Sequence, residues 1–193
     1  MNQSIHLSDL WSQVVADNQH AYALLHKDLY PGLYNYLLQM VKDEEIANDL
    51  LQELFVKLWH KRKQITVINN VKAYFFTACR SMAINHFRQI KSQTSRLEHL
   101  AQTEFTFSPE DILVTAEEDT HLKNTMAAAL NALPARQREI IYLKYYQEME
   151  YSKIAEVTGI RYQSVTNHVF RALETLRAKF GPFKSEEVFA GFS

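Results

Sequence analysis

Glycine and proline are scarce, four of each in 193 residues, which leaves little material for tight hairpins or for a loop that wraps phosphate. Long helices are the expectation. A lone cysteine, Cys79, excludes an intrachain disulfide framework and a thiolate metal cluster, and it fits a reducing compartment. No apolar run reaches the roughly 18 residues of a membrane span. The polar start MNQSIHLSD lacks the basic-then-apolar pattern of a signal peptide, so a soluble cytoplasmic protein is expected. The eight histidines include no pair at i, i+3 or i+4, and no GxxxxGKS or GxxxxGKT loop is present. These absences point away from catalysis: no metal, cofactor, catalytic residue or small-molecule substrate is expected.

Net charge is also nearly missing, since 22 Asp and Glu meet 21 Lys and Arg. That total hides two opposed blocks. From Lys61 to Arg96 the charged side chains are eight cations with no acid, and from Glu98 to Asp119 they are seven acids with no Lys or Arg. The acidic stretch carries Ser, Thr, Gln and Pro109 and little helical period, so it reads as a linker. Any electrostatic work must come from this local asymmetry.

What is present is helical spacing. Ile46, Leu50, Leu51, Leu54 and Leu58 share one helix face that suits a core. Asp49, Gln52, Glu53 and Val56 form a second stripe on that helix, available to a partner and equally readable as an ordinary solvated face. The segment QITVINN, Gln64 to Asn70, has β-branched residues and no helical period and is expected to be a loop. The next helix, to about Ile90, puts Val71, Tyr74, Phe75, Ala78, Met82 and Ala83 on its apolar side. It also bears Thr77, Ser81, Ile84 and Arg88 on one face, with Arg80 and Asn85 beside it. Hydroxyl, amide and guanidinium groups interleaved with Tyr74 and Phe76 suit unstacked bases, although both rings also suit core packing. An earlier stretch, Ala21 to Val41, is helical, with Pro31 expected at a kink or boundary.

Beyond the linker, Pro134 stands where the first residue of a helix is often proline. SKIAEVT then forms a short helix, Gly159 a left-handed turn, and Tyr162 to about Ala178 a longer helix. This is helix-turn-helix grammar, its small core expected from Ile154, Ala155, Ile160, Val165 and Val169. With Val165, Val169, Ala172, Leu173 and Leu176 inward, Gln163, Thr166, Asn167 and Arg171 are left to read base edges in a major groove. Arg161, His168, Arg177 and Lys179 suit phosphates. A helical hairpin with a polar outer side fits the same pattern.

The expected fold is therefore all-α: two small helical domains joined by an acidic linker, the C-terminal one a helix-turn-helix. The divisions are residues 1–97, a linker at 98–121, 122–180, and a C-terminal tail at 181–193.

The string DLLQELFVKLW, Asp49 to Trp59, followed by NVKAYFFTACRSMAINHFRQIK, Asn70 to Lys91, resembles region 2 of the extracytoplasmic-function (ECF) sigma factors of the sigma-70 family. The stretch Ala129 to Arg177 is similar to their region 4. The resemblance implies a promoter-specificity subunit whose partners are core RNA polymerase, through the β′ clamp helices, promoter DNA, and an anti-sigma factor. It maps polymerase binding onto Asp49, Leu50, Gln52, Glu53, Phe55 and Val56. Contacts to the −10 element map onto Lys63 and the loop after it, with Tyr74, Arg80, Ser81, Asn85 and Arg88. Contacts to the −35 element map onto Arg161, Tyr162, Gln163, Ser164, Thr166, Asn167, His168 and Arg171. Ser81 stands where many members carry Asn, Tyr74 where Trp is common, and Arg161-Tyr162 at a helix entry that usually bears Ser, so base preferences are not transferable. A classical helix-turn-helix repressor or activator that binds DNA without polymerase is the competing reading.

Overall fold

The computed structural model describes residues 2–65, 67–93, 105–109, 112 and 120–180. The tail expected at 181–193, and most of the stretch read as an acidic linker, lie outside the described residues. No strand occurs among the described residues, and no helix of theirs is long and apolar enough to cross a membrane. The chain divides into two compact units, Met1–Thr103 and Glu104–Ser193.

The first unit holds four helices: α1 (Asn2–Val15), α2 (Gln19–Val41), α3 (Glu44–Lys61) and α4 (Val71–Gln93). Helix α1 is not among the helices expected from the sequence. Its buried residues Leu7, Leu10, Trp11 and Val14 fall at i, i+3, i+4 and i+7, one apolar stripe. Side-chain caps set the other starts. Asn18 accepts the Ala21 N–H at 3.1 Å, Asp43 that of Ile46 at 3.0 Å, and Asn70 that of Ala73 at 2.8 Å. Glu44 and Glu45 in the first turn of α3, with His60 and Lys61 in its last, also complement the helix dipole.

Helix α2 packs against each of the other three, burying Leu25, Leu29, Leu33, Tyr36 and Leu37. Pro31 does not end α2, which continues to Val41. An exposed proline can sit inside a helix whose stability comes from a buried opposite face. Leu51, Leu54 and Leu58 of α3 are buried as expected, while Ile46 and Leu50 are only half-buried at the edge of the stripe. Aromatic rings close the core: Trp11 meets Phe75 edge-on at 5.9 Å, Phe55 lies 5.7 Å from Phe75, and Tyr36 lies 5.2 Å from Phe76.

The second unit contains α5 (Thr120–Asn131), α6 (Ala135–Ile141), a π-helical turn (Tyr142–Tyr146), α7 (Tyr151–Thr158) and α8 (Tyr162–Phe180). Pro134 is the cap of α6 rather than its first residue, with φ −54° and ψ 143°. Phe105 and Phe107, inside the stretch read as linker, are buried against Tyr142 at 5.1 and 6.3 Å. Asn131 holds them there. Its Nδ2 donates to the Phe107 carbonyl and its Oδ1 accepts the Phe107 N–H, both at 2.8 Å. The wide π turn lets Tyr142 and Tyr146 stack at 5.3 Å beside Phe107.

Gly159 ends α7 in the left-handed region, φ 69°, and its N–H returns to the Ala155 carbonyl at 2.9 Å. Val165, Val169, Ala172 and Leu176 of α8 are buried along one face, with Ile154 and Val157 of α7. Ala155, Ile160 and Leu173 are half-buried.

Candidate nucleic-acid and partner interfaces

On α3, Asp49, Gln52, Glu53 and Val56 are all exposed, Val56 to 56%. The Glu53 carboxylate pairs with Lys57 one turn on, at 2.5 Å. Leu50 is half-buried. Phe55, placed in the same set from sequence, points the other way: it is 5% exposed, with His26 at 4.3 Å and Tyr22 at 6.1 Å. A residue one position before Val56 is turned by about 100° around the helix, which carries it to the α2 side. Its ring still floors an open apolar cleft of about 340 Å³ beside the stripe, lined by Gln19, Tyr22, Phe55, Val56, Trp59 and His60. Tyr22 ties this wall together by donating its hydroxyl to the Phe55 carbonyl at 2.5 Å, and burial raises its phenol pKa. The surface thus offers acids and amides next to an apolar recess, the arrangement that fits a helix bearing cations around an apolar anchor.

On α4, Ser81, Asn85 and Arg88 are exposed along one face, and Tyr74 and Arg80 are half-buried. Burial raises the Tyr74 hydroxyl pKa, so it stays a neutral hydrogen-bonding group. Ser81 and Thr77 turn their hydroxyls onto the carbonyls one turn back, at 2.9 and 2.8 Å, and Arg88 reaches the Asn85 amide oxygen at 3.4 Å. Phe76 is not part of this face. It is 1% exposed against Tyr36, because α4 packs against three helices and needs more than one buried stripe. Cys79 is fully buried with its pKa raised well above normal, an inert core thiol.

The described residues of the QITVINN segment between α3 and α4 are non-helical, as expected. Val67 is 83% exposed on it, an apolar side chain offered to solvent that the sequence reading left unremarked. Lys63, at the loop's start, is not a free cation: its Nζ lies 2.6 Å from a carboxylate oxygen of Asp17.

On α8, Arg161, Tyr162, Gln163, Asn167 and Arg171 are exposed, and Ser164, Thr166 and His168 half-buried. Gln163 and Asn167 share a hydrogen bond at 3.3 Å, which aligns two amides one turn apart. Phe170, 60% exposed, adds an apolar group that the helical pattern alone does not single out. Burial, then the neighbouring Arg136 and Arg171, lower the pKa of His168, which favours its neutral form.

Two helical units, one with a polar and cationic helix face and the other a helix-turn-helix, define a DNA-binding protein with a separate partner surface. The comparisons with known proteins sharpen this. Residues 25–93 match the family model for sigma-70 region 2, and residues 123–176 that for sigma-70 region 4. The ECF RNA polymerase sigma factor SigM of Bacillus subtilis is 25% identical over 158 residues, 80% of this chain and 92% of that protein. RNA polymerase sigma factor SigV of the same organism is 28% identical, over 79% of this chain and 84% of its own. Two solved structures share the fold. The sigma factor RpoE in complex with the anti-sigma factor NepR from Bartonella quintana superposes with TM-score 0.62 at 21% identity, over 84% of this chain and 98% of that one. CnrH in complex with the cytosolic domain of CnrY gives TM-score 0.60 at 20% identity, over 89% and 94%. The chain belongs to the sigma-70 family of RNA polymerase sigma factors, in its ECF group.

Proposed function

We propose that this chain joins core RNA polymerase through the exposed stripe of α3 and its apolar cleft, and then selects promoters with its two units. The α4 face Tyr74, Arg80, Ser81, Asn85 and Arg88, with the preceding loop, takes the −10 element. The outer face of α8, Arg161 to Arg171, takes the −35 duplex. The carrying observation is that family regions 2 and 4 occupy two separate compact units in family order, each with an exposed polar face on its DNA-side helix, that of α4 free of acids.

The energetics assign the division of labour. Opening roughly ten base steps at about 1.4 kcal/mol each costs on the order of 14 kcal/mol. Stacking one flipped base returns only about 1–3 kcal/mol, so the chain chooses where opening starts while the polymerase sustains it. Synthesis belongs to that enzyme, and no catalytic group is assigned here. The same reading places the chain in the cytoplasm, with an anti-sigma protein as a further partner. The solved relatives that bind such proteins support it. A repressor or activator acting alone leaves the region 2 unit without a role.

Run-off transcription with purified core polymerase on sheared genomic DNA tests the proposal. Specific starts are expected only when this chain is added, and Arg80→Glu with Arg88→Glu should abolish permanganate reactivity at those starts. Specific protection of DNA by the chain alone, indifferent to polymerase, would overturn it.

A further inference from the structure

The loop that this reading brings to the −10 element is anchored by residues of a different helix. Trp11 of α1, 3% exposed, donates its indole Nε1–H to the carbonyl of Ile65 at 3.1 Å across 54 positions of sequence. Asp17, at the corner between α1 and α2, adopts the left-handed φ of 68° that Asp and Asn tolerate better than most residues. One carboxylate oxygen accepts from both Nε and Nη2 of Arg62, the first at 2.7 Å, and the other meets Lys63 Nζ at 2.6 Å. Arg62 is itself fixed: its guanidinium lies 3.9 Å over the Trp59 ring and donates to the Trp59 carbonyl. Asn70 caps α4 at the loop's far root. Both roots are held, and Val67 and Asn69 between them stay exposed.

An acid beside a phosphate-binding loop is costly by charge alone, because it repels DNA and neutralises a cation that could meet it. Its two-cation grip explains its presence if order in the loop matters more than charge. We propose that Trp11 and Asp17 are positioning residues for base capture, holding the root of the α3–α4 loop where it meets the −10 element. This rests on the promoter reading above. It adds a part for α1 and the corner after it, which lie outside the stretch matched to region 2.

Two variants separate order from charge. Trp11→Phe keeps a ring against Phe75 but removes the indole donor together with the second ring that carries it; Asp17→Asn keeps the left-handed corner and removes the anion. Each is assembled with core polymerase on a promoter found by run-off transcription, using forked DNA with 2-aminopurine at the −10 bases. Its fluorescence rises when a base leaves the stack. Both variants should capture bases about three- to tenfold more weakly, the factor carried by one ordering hydrogen bond. Core affinity should stay within about twofold, since α3's stripe is untouched. Asp17→Asn should at the same time bind duplex DNA lacking a −10 element no worse than wild type, the direction charge predicts. Wild-type base capture in both variants overturns the proposal. A wild-type chain giving no polymerase-dependent fluorescence overturns the promoter reading itself, which is a distinguishable failure.

Discussion

Val56→Ala should make the chain fold slightly better and bind polymerase worse. Val56 sits in α3 with 56% of its surface exposed, at the lip of the cleft floored by Phe55. Truncation removes two carbon groups, each worth about 0.8 kcal/mol when withdrawn from water. Only the part still exposed in the free chain can be gained on docking. That leaves about 0.9 kcal/mol of binding energy, or a four- to fivefold weaker Kd. In the free helix, Ala is better than Val by about half a kcal/mol, so stability should rise. Leu51→Ala, at a position with no exposure, is the contrast: it should cost about 2–5 kcal/mol of stability through its cavity. Val56→Glu should weaken binding further, adding an unpaired carboxylate beside Asp49 and Glu53. Fluorescence anisotropy of labelled chain titrated with core polymerase measures the affinity, and urea denaturation the stability. If Val56→Ala and Val56→Glu both bound core like wild type, the stripe would not be the docking surface.

Three further outcomes test the units separately. Both tryptophans, Trp11 and Trp59, lie in the first unit, so their fluorescence follows its unfolding alone. Gln39 is 5% exposed with neither amide atom hydrogen-bonded; Gln39→Met keeps the shape and should stabilise that unit by about 1–2 kcal/mol in urea titrations. His26, packed against Tyr30 and Phe55, has its pKa lowered by burial. The unfolded chain therefore takes up the proton first as pH falls through about 6.5. Stability present above that pH should decline from there down to the folded pKa, and His26→Gln should flatten the decline between pH 7.5 and 5.5. In the second unit, Asn131→Ala leaves the Phe107 N–H and carbonyl without their partner and should cost about 1–3 kcal/mol, read from amide hydrogen exchange of α6 and α8.

The parts of this fold legible in the sequence are those governed by local rules. α3, α4 and the helix-turn-helix announce themselves through 3.6-residue spacing, and Gly159 through its need for positive φ. α1 obeyed the same spacing at 7, 10, 11 and 14, a signal available and not taken. The rest depends on partners distant in sequence. The alternation Phe105-Thr106-Phe107 reads as linker because seven acids surround it, and it is the Asn131 amide, 24 residues on, with the rings of Tyr142 and Tyr146, that makes it part of a core. The adjacent Phe75 and Phe76 could not both be assigned from one helix face, since α4 is enclosed on several sides. Lys63 counted toward a cationic block until Asp17 was seen to hold it.

That last contact bears on why a chain of net charge −1 can select DNA at all. Non-specific affinity comes chiefly from phosphate contacts, at Kd of roughly 10⁻⁴–10⁻⁶ M. A near-neutral chain that pairs Arg62 and Lys63 internally has surrendered part of that affinity. Each unit is then expected to hold DNA weakly by itself. Mounted on one polymerase, however, binding of the first unit presents the second at an effective concentration of up to the millimolar range. Two weak readings then multiply only where both elements lie at a reachable spacing. Low intrinsic affinity thereby becomes the source of selectivity, because a stronger unit would occupy isolated half-sites. The acids that look misplaced in a DNA-binding chain, Asp17 among them, lower the background against which the paired elements are read.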